Sequence, residues 1–450
     1  MKLLNKKSIG LDIADRTMEL AEIESSDSDF KVLNLISANL SEGIVENGQI
    51  KDKVKLAEAV KLLFSDAKSK PLSSRKIVFA LPESQVFLRN FALGAHDKKN
   101  RDELARREAL LSVPIREDDL VFSYRVISES PADTKFLLAA ASRTITKEWL
   151  DFFRSIEIEV EILDIEALAV FRGLFGVPPE KPICVLDIGS RTANICIFDQ
   201  SGLRYSFPSF IAGNSFTDAV AKAAEAEFAA AEKIKITQGL SSSEQTVASE
   251  LKSEIDKLIS SIEETFDYFK KGTGDSVSEI VLVGGSSQMS GLADYLSTAL
   301  KIDTRIGTSR LHGGETPLIY IEAIGLAMRG LDSIWDDRDP NLPVHFPDGK
   351  EKIKFIASAK ESAVINKIQN IKLNKQILLL IGSLLLGLLL LIGALWFRES
   401  QRKIRLNNIK IESSGVNVVT GTLPILTATP TSTENTTASV AKPSTTKKKR

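Results

Sequence analysis

The chain repeats one local pattern twice, and this duplication limits the folds that it can adopt. The sequence GLDIADRTMEL places Asp12 at the end of an apolar strand, before a tight turn and a second strand. About 175 residues later, CVLDIGSRTANICIF repeats the arrangement with Asp187 and Gly189. Around each copy, short apolar segments alternate with helical ones, as is typical of α/β proteins. The sequence therefore predicts an α/β protein of two duplicated halves, each opening with a hairpin that carries an aspartate.

The expected strands and helices follow this duplicated plan. In the first half we expect strands at 8–13, 17–23, 30–40, 76–81, 86–93, 120–127 and 135–141, and helices at 54–68 and 100–112. In the second half we expect strands at 183–188, 193–198, 203–206 and 279–283, and helices at 215–236, 243–271, 292–300 and 317–330.

Composition excludes several classes of protein. Lys plus Arg total 58 and Asp plus Glu total 59, for a net charge of −1, so the chain is not coated with cations for nucleic acid. The two cysteines, Cys184 and Cys196, fall on the second predicted hairpin, and they are too few for a disulfide-stapled secreted fold. Three scattered histidines add no spacing for a structural zinc site.

Residues 377–397 form an uncharged stretch that is rich in Leu and Ile. A helix of that length measures roughly 31 Å, which matches a bilayer hydrocarbon core of about 30 Å. We therefore expect one transmembrane helix at 377–397, after a juxtamembrane linker at 336–376 and before a disordered Ser/Thr-rich tail at 398–450. Because the N-terminal sequence has no signal-like apolar stretch, residues 1–376 are expected in the cytoplasm and the protein in the inner membrane.

The two hairpin turns have the residue types of a phosphate site. Glycine lets backbone N–H groups approach a phosphate, and Mg²⁺ takes carboxylate ligands, directly or through water. Two further patterns lie downstream: Glu232 and Lys235 share one helix face, and an apolar strand ends in Gly284–Gly285, which suits close approach of an adenine and its ribose. Each pattern alone is explained by an ordinary turn or a surface ion pair, so the argument for a nucleotide rests on their order.

In this order the patterns resemble the phosphate 1, phosphate 2, ribose and adenosine motifs of the actin-like ATPase superfamily. The segments ILDIEALAVFRGL, SFPSFIAGNSFTDAVAKA and IEAIGLAMRGL look like those of PilM, the cytoplasmic actin-like protein family of type IV pilus machines. FALPESQVFLRNFAL, followed by RREALLSVPI, is similar to the extra subdomain that PilM shares with the division protein FtsA. We place this subdomain at about residues 78–160.

The resemblance implies an actin-like ATPase fold over residues 1–335 that binds ATP and Mg²⁺. The implied contacts are Asp12 and Thr17 for the first phosphate site; Asp187, Gly189, Ser190 and Thr192 for the second; Glu232 and Lys235 for ribose; and Gly284, Gly285 and Ser286 for the base. Asp12 and Asp187 are also the implied ligands of the metal.

The first hairpin departs from the family pattern. It has Ala14 and Asp15 where a second glycine and a small hydroxyl residue are usual, and Glu19 where a lysine is common. An extra carboxylate repels a triphosphate in a low-dielectric cleft unless Arg16 or the metal offsets it. We therefore expect ATP binding with at most slow hydrolysis.

The function that the resemblance implies is a membrane-tethered ATP-binding scaffold in the inner-membrane platform of a type IV pilus or related secretion system, with nucleotide state modulating partner binding. The implied partners are PilN- and PilO-like inner-membrane proteins, the assembly ATPase, the membrane and a second copy of the chain, and not nucleic acid. One alternative is an FtsA-like, membrane-anchored polymerising division protein. Another is a phosphotransfer enzyme of the actin-like superfamily, although no residue suggests a catalytic acid aimed at a substrate hydroxyl.

Two features leave alternatives open. Asp164 and Glu166 are either carboxylates that position water at the nucleotide or acids that complement a helix N-terminus, and the pattern favours the helix N-terminus. Residues 339–347, DPNLPVHFP, resemble the PilN peptide that PilM proteins bind. They either dock in cis onto the extra subdomain as an extended strand, through Asn341, Leu342 and Pro343, or form a flexible linker.

Overall fold

The computed structural model describes residues 6–26, 29–66, 71–94, 100–311, 316–331 and 339–344. All of them belong to the first of two compact units, Met1–Ile365. The predicted transmembrane helix at 377–397 and the predicted tail at 398–450 lie outside the described residues. Within the described ranges, every helix is too short or too polar for a bilayer crossing.

The described elements follow the α/β plan. The strands are β1 (Lys7–Ile13), β2 (Thr17–Ser26), β3 (Asp29–Asn39), β4 (Val45–Glu46), β5 (Gln49–Ile50), β6 (Lys76–Leu81), β7 (Val86–Gly94), β8 (Leu120–Glu129), β9 (Asp133–Ser142), β10 (Glu159–Ile165), β11 (Ile183–Ile188), β12 (Ala193–Asp199), β13 (Gly202–Ser209), β14 (Glu279–Val283) and β15 (Asp303–Ile306). The helices are α1 (Lys53–Ser65), α2 (Arg101–Ser112), α3 (Arg143–Ser155), α4 (Glu166–Leu174), α5 (Gly213–Ala224), α6 (Phe228–Thr237), α7 (Gln245–Thr273), α8 (Leu292–Leu300) and α9 (Ile321–Leu331).

Two five-stranded sheets confirm the predicted duplication. The first has the order β3-β2-β1-β6-β10, and the second has the equivalent order β13-β12-β11-β14-β15. In each, three antiparallel strands are followed by two that run parallel to the first strand of the half. The registers also correspond, because Asp12 lies opposite Glu19 on β2 and Asp187 lies opposite Asn194 on β12. The central strands are buried on both faces, as parallel strands covered by helices require.

Helices α4 and α9 cross in very close contact. A Cβ atom at Gly325 of α9 would lie 1.8 Å from the carbonyl oxygen of Ala169 in α4. A Cβ atom at Gly173 of α4 would lie 2.3 Å from the carbonyl oxygen of Ile321. Only glycine fits at these two positions, so the sequence permits a backbone approach that larger residues would block.

A smaller third sheet, of order β7-β9-β8, has α2 packed on it. It occupies Val86–Ser142, inside the predicted range of 78–160. The two ends of that range belong instead to the first half, through β6 and β10. Asn90 of β7 donates a hydrogen bond to the carbonyl oxygen of Leu203, so the third sheet also contacts the second half.

Residues 339–344, which we call the strap, dock in cis as an extended segment. The N–H of Leu342 donates to the carbonyl oxygen of Leu163 at 2.9 Å, which makes an antiparallel bridge to the edge strand β10. Leu342 is fully buried. Of the two alternatives left open, the structure shows docking in cis for residues 339–344, but the backbone pairing is with β10 of the first half and not with the third sheet. The third sheet contributes a longer contact, 3.5 Å from Arg125 to Asn341.

Other expectations about local structure were wrong. The single helix expected at 215–236 is two helices, α5 and α6, because Glu225 adopts a left-handed conformation with φ of 47° and ends α5. The prediction also missed the two-residue strands β4 and β5, together with α3, β10 and β15. The last of these is short, polar and mostly exposed, so it carries no apolar alternation to detect.

The close crossing of α4 and α9 predicts an unusual glycine requirement. Gly325→Ala should destabilise the fold by about 1–3 kcal/mol, because its Cβ meets backbone that cannot give way. Gly272→Ala in α7 is the matched control, since its Cβ meets only the hydroxyl end of the Tyr205 side chain at 2.8 Å. The control should be neutral or slightly stabilising. Thermal unfolding of both variants tests this, and equal melting temperatures would contradict the packing argument.

Candidate functional site

The two equivalent hairpins place their aspartates in one cleft between the halves. Asp12 and Asp187 lie at the carboxyl ends of β1 and β11, where open α/β sheets bind ligands. Burial, followed by the charge of Asp187, raises the pKa of Asp12 to about 7. Burial raises the pKa of Asp187 to about 6. The structure thus brings together the two carboxylates that the sequence singled out.

Four more carboxylates converge on this cleft: Glu19, Glu83, Glu166 and Glu322. Oxygen atoms of Asp12, Glu166 and Glu322 lie within 4.8 Å of one another. Burial, and then the charge of Asp12, raises the pKa of Glu19 to about 9. The same two causes raise the pKa values of Glu166 and Glu322 well above the ordinary range. Burial is the largest of the causes that raise the pKa of Glu83 to about 7.

No lysine or arginine of the described chain forms an ion pair with any of these six carboxylates. The cleft therefore gathers six carboxyl groups without a paired cation among the described residues, and a bare triphosphate would find no positive charge there. Three converging carboxylate oxygens are the hard donors that Mg²⁺ prefers. The residues fit a divalent cation, and they fit a nucleotide only when its phosphates arrive with that cation.

Two charged residues in the turn of the first hairpin, Asp15 and Arg16, pair with residues other than the six carboxylates of the cleft. Asp15 turns out of the cleft, where it accepts hydrogen bonds from the N–H groups of Asn47 at 2.9 Å and Gly48 at 3.2 Å. It also pairs at 3.4 Å with Arg191, which lies in the turn of the second hairpin. Arg16 pairs with Glu42 at 3.1 Å, so it does not offset the cleft acids.

Glu19 is therefore the departure that adds a carboxyl group to the cleft. It is 4% exposed and accepts a hydrogen bond from the Thr17 hydroxyl at 3.2 Å. Asp15, the other acidic departure, instead caps a neighbouring turn. Thr17 remains a predicted phosphate contact.

The second phosphate motif, the start of α5 and the loop after β14 meet at one place. The N–H of Gly189 donates to the carbonyl oxygen of Thr192 at 3.0 Å and closes the hairpin turn. The N–H of Gly213, at the start of α5, donates to the carbonyl oxygen of Gly189 at 3.0 Å, and that of Asn214 donates to Ser190 at 2.6 Å. Ser286 lies beside them, since a Cβ atom at Gly213 would be 2.6 Å from its hydroxyl oxygen.

The backbone requires glycine at position 284, which directly follows β14 and lies against Asp187. Its φ is +83°, and a Cβ atom there would lie 2.3 Å from Oδ1 of Asp187. At Gly285, by contrast, a Cβ would meet nothing within 4 Å. Gly284 therefore lets the β14 loop close against Asp187, and Gly285 has open space on one side.

Lys235 and Glu232 lie next to the start of α5. The Lys235 ammonium donates to the carbonyl oxygen of Gly213 at 3.0 Å and to the Thr217 hydroxyl at 2.9 Å, and it pairs with Glu232 at 2.7 Å. These contacts use its three donors. Lys235 is buried and holds the N-terminal turn of α5 in place, whereas Glu232 is more exposed. The ribose contacts assigned to both residues stay predictions.

Asp164 and Glu166 do not cap a helix. The N-cap of α4 is Ile165, and no side chain makes a capping hydrogen bond there. Oε2 of Glu166 instead accepts from the N–H of Glu83 at 2.8 Å, which points the carboxylate into the cleft. Asp164 is buried and pairs with Arg172. Glu166 therefore lies in the first turn of α4, as the favoured explanation expected, but it makes no capping hydrogen bond and also belongs to the site.

Sequence reasoning missed Glu83 and Glu322 as members of the cleft. The sequence nevertheless contains a signal for each of them, since both acids directly follow a buried strand or begin a buried helix, much as Asp12 and Asp187 end theirs. Glu83 follows the buried strand β6 directly, after Pro82, and Glu322 lies in the first turn of the apolar helix α9. An acid at the end of a buried strand or the start of a buried helix is costly unless it has a function.

Two duplicated sheets, with their first hairpins facing each other across an acidic cleft, define an actin-like ATPase fold. A solved structure described as a PilM–PilN type IV pilus biogenesis complex shares it, with a TM-score of 0.63 and 22% identity over 72% of this chain and 98% of that one. A family of sequences described as type IV pilus assembly protein PilM matches residues 10–331. The chain belongs to this PilM family.

Two other proteins are more distantly similar. The cell division protein FtsA of Pseudomonas aeruginosa is 26% identical over 207 residues, which cover 40% of this chain and 49% of FtsA, so the chain matches about half the length of that relative. MreB5 of Spiroplasma citri bound to ADP is 12% identical over 74% of this chain and 99% of its own, with a TM-score of 0.46. That likeness is too weak to bear on the site.

The buried acids predict an inverted dependence of stability on pH. The pKa of Asp12 rises from 3.8 to about 7 on folding because of burial and the Asp187 charge, so the folded state keeps a proton that the unfolded state releases. The contribution of Asp12 to the free energy of unfolding is therefore fully present below pH 4 and is lost as the pH rises through 7. Asp12→Asn should match the parent near pH 4 and become the more stable protein towards pH 8, by at most about 1.4 kcal/mol per pH unit.

Denaturant unfolding from pH 4 to 8, with a chelator present, measures this difference. Asp275→Asn, at an exposed position, is the control and should track the parent throughout. A constant offset between Asp12→Asn and the parent at every pH would contradict the prediction.

Proposed function

We propose that this chain is a membrane-tethered, Mg·ATP-binding scaffold in the inner-membrane assembly platform of a type IV pilus or a related secretion system. The observation that carries the proposal is the pairing of Asp12 and Asp187 on equivalent hairpins of the two halves, with the Gly284 loop closed against Asp187. Family membership supports the pilus setting.

The proposed nucleotide contacts follow the cleft. Asp12 and Asp187 hold Mg²⁺, directly or through water, with Glu166 and Glu322 close to Asp12. When bound, the metal supplies the positive charge that the phosphates need in this acidic site. Backbone N–H groups of the hairpin turns, with Thr17, Ser190 and Thr192, bind the phosphates. Glu232 and Lys235 serve the ribose, and the loop from Gly284 to Ser286 serves the base.

Hydrolysis is expected to be slow at most. Glu166 is the candidate base in the cleft, but burial and the Asp12 charge raise its pKa, and a carboxyl that holds its proton cannot accept another. A cation beside it would favour the charged form, so the carboxylate becomes a base only in the loaded site. The chain is therefore proposed to use the nucleotide mainly as a conformational signal.

The scaffold role follows from the position of the cleft between two halves. A ligand held by both hairpins biases the closure of the halves, and closure alters the faces that partners bind. We propose PilN- and PilO-like membrane proteins and the assembly ATPase as partners, with self-association as a further property. The name of the structurally similar PilM–PilN complex supports the PilN-like partner.

The proposed tether is the apolar stretch at 377–397, with the amino-terminal domain in the cytoplasm.

An FtsA-like polymerising protein is the second candidate for the function of this chain, and the 26% identity to FtsA favours it. Sedimentation of the purified chain with and without Mg·ATP separates the two, because a polymerising protein pellets.

A matched pair of glycines tests nucleotide binding at the proposed site. Gly284 and Gly274 both have φ of +83°, so alanine strains the two backbones equally, by about 1–2 kcal/mol. A Cβ at Gly284 also meets Asp187, whereas one at Gly274 meets nothing within 4 Å. Gly284→Ala should therefore weaken Mg·ATP binding at least about tenfold, and Gly274→Ala should leave it unchanged.

Calorimetric titration of the two variants and the parent with Mg·ATP measures the effect. Asp187→Ala should abolish binding. A folded parent that gives no response to Mg·ATP or Mg·ADP would end the nucleotide proposal, and brisk turnover of a sugar or phosphoester would favour the enzyme alternative.

Co-purification tests the cellular setting. The tagged chain, isolated from detergent-solubilised membranes, should bring down PilN- and PilO-like proteins, and a variant lacking 377–397 should leave the membrane fraction. Recovery of division proteins instead would support the FtsA-like alternative.

A further inference from the structure

The strap is held by a buried cluster of charges that the proposed scaffold role does not explain. Asp339 of the strap accepts from Nη1 of Arg172 at 2.6 Å, and Arg172 also pairs with Asp164 of β10. Nη2 of Arg329 donates to the backbone carbonyl of Asp339 at 3.2 Å, and Nη1 lies 3.9 Å from its carboxylate. Both arginines are almost completely buried. Buried ion pairs of this kind are sensitive to the loss of one partner.

The two arginines come from the two helices that carry acids of the cleft. Helix α4 has Glu166 in its first turn and Arg172 in its last. Helix α9 has Glu322 in its first turn and Arg329 in its last. Each helix therefore contacts the nucleotide cleft at one end and Asp339 at the other.

The same two helices are rigidly coupled to each other. Their backbones touch at Gly325 and Ala169, and Nε of Arg172 donates to the carbonyl oxygen of Gly325 at 3.2 Å. A shift at one end of this pair cannot be absorbed between the helices, since close-packed interiors transmit displacement.

We infer that the strap is a latch, in which Asp339 holds the last turns of α4 and α9 together and thereby links the nucleotide cleft to the chain that follows residue 344. This inference rests on the proposed function for its ligand, and it adds the regulation of the site. Oxygen atoms of Asp12, Glu166 and Glu322 lie within 4.8 Å of one another, so a cation that enters with the nucleotide would be held between the first turns of the two helices and draw them together. Docking of the strap and binding of the nucleotide therefore both hold α4 and α9 together, at opposite ends of the two helices.

Two backbone amides report on the two ends. The Leu342 amide donates to Leu163 and reports on the strap. The Glu83 amide donates to the Glu166 carboxylate at 2.8 Å and reports on the cleft end of α4. Site-resolved hydrogen exchange on the full chain, kept in detergent, follows both.

Asp339→Asn is the test variant, and Asp303→Asn, at an exposed position of β15, is its control. Asp339→Asn should raise the Kd for Mg·ATP at least about fivefold, the lower end of measured couplings. Mg·ATP should slow exchange of the Leu342 amide in the parent by the same factor, because coupling between two sites is reciprocal. Without nucleotide, the Glu83 amide should exchange at least about fivefold faster in Asp339→Asn than in the control.

Leu342→Ala provides a second route, since it weakens the strap without leaving a buried charge, and it keeps the test open if Asp339→Asn fails to fold. The latch is refuted if the variant that folds leaves both the Glu83 amide and the Kd within about twofold of the control. If the parent binds no Mg·ATP, the proposed function fails, and the Glu83 amide alone still decides for or against the latch.

Discussion

The crossing of α4 and α9 is the contact on which the rest of the structure depends. Glycine at positions 173 and 325 lets the two backbones meet, and no other pair of residues would fit. From that contact the first turns bring Glu166 and Glu322 to the cleft, while the last turns bring Arg172 and Arg329 to the strap. One close helix contact thus orients both the acidic site and the residues that hold the strap.

The main chemical property of the cleft is its cluster of buried carboxyl groups that have no paired cation within the described chain. Six carboxylates are gathered where an actin-like fold would hold phosphates, and the described cations are engaged elsewhere: Arg16 with Glu42, Arg191 with Asp15, and Lys235 with the start of α5. The raised pKa values, caused first by burial, show that the charged form of these groups is costly in the folded chain, which therefore favours their protonated form. A ligand that brings a divalent cation would relieve that cost, and a ligand without one would increase it.

Much of the fold and part of the site could be predicted from the sequence. The alternation of apolar residues located the two hairpins, and the repeated aspartate indicated the duplication that the sheet orders confirm. Two departures from the predicted elements share a physical cause. The break between α5 and α6 depends on one left-handed residue, Glu225, and β15 is a strand only because β14 pairs with it. Neither has a periodic signal of its own.

What the sequence determined by itself was the class of architecture and the identity of the paired aspartates, because strand periodicity and turn chemistry are local properties. Tertiary structure decided which acids share the cleft. Asp15 lies three residues from Asp12 and turns away to cap the turn at Asn47 and Gly48, whereas Glu83 and Glu322 are far along the chain and turn in. It also decided that the strap pairs with β10, since the partner of an unpaired strand edge depends on which edge lies within reach after the sheets have packed.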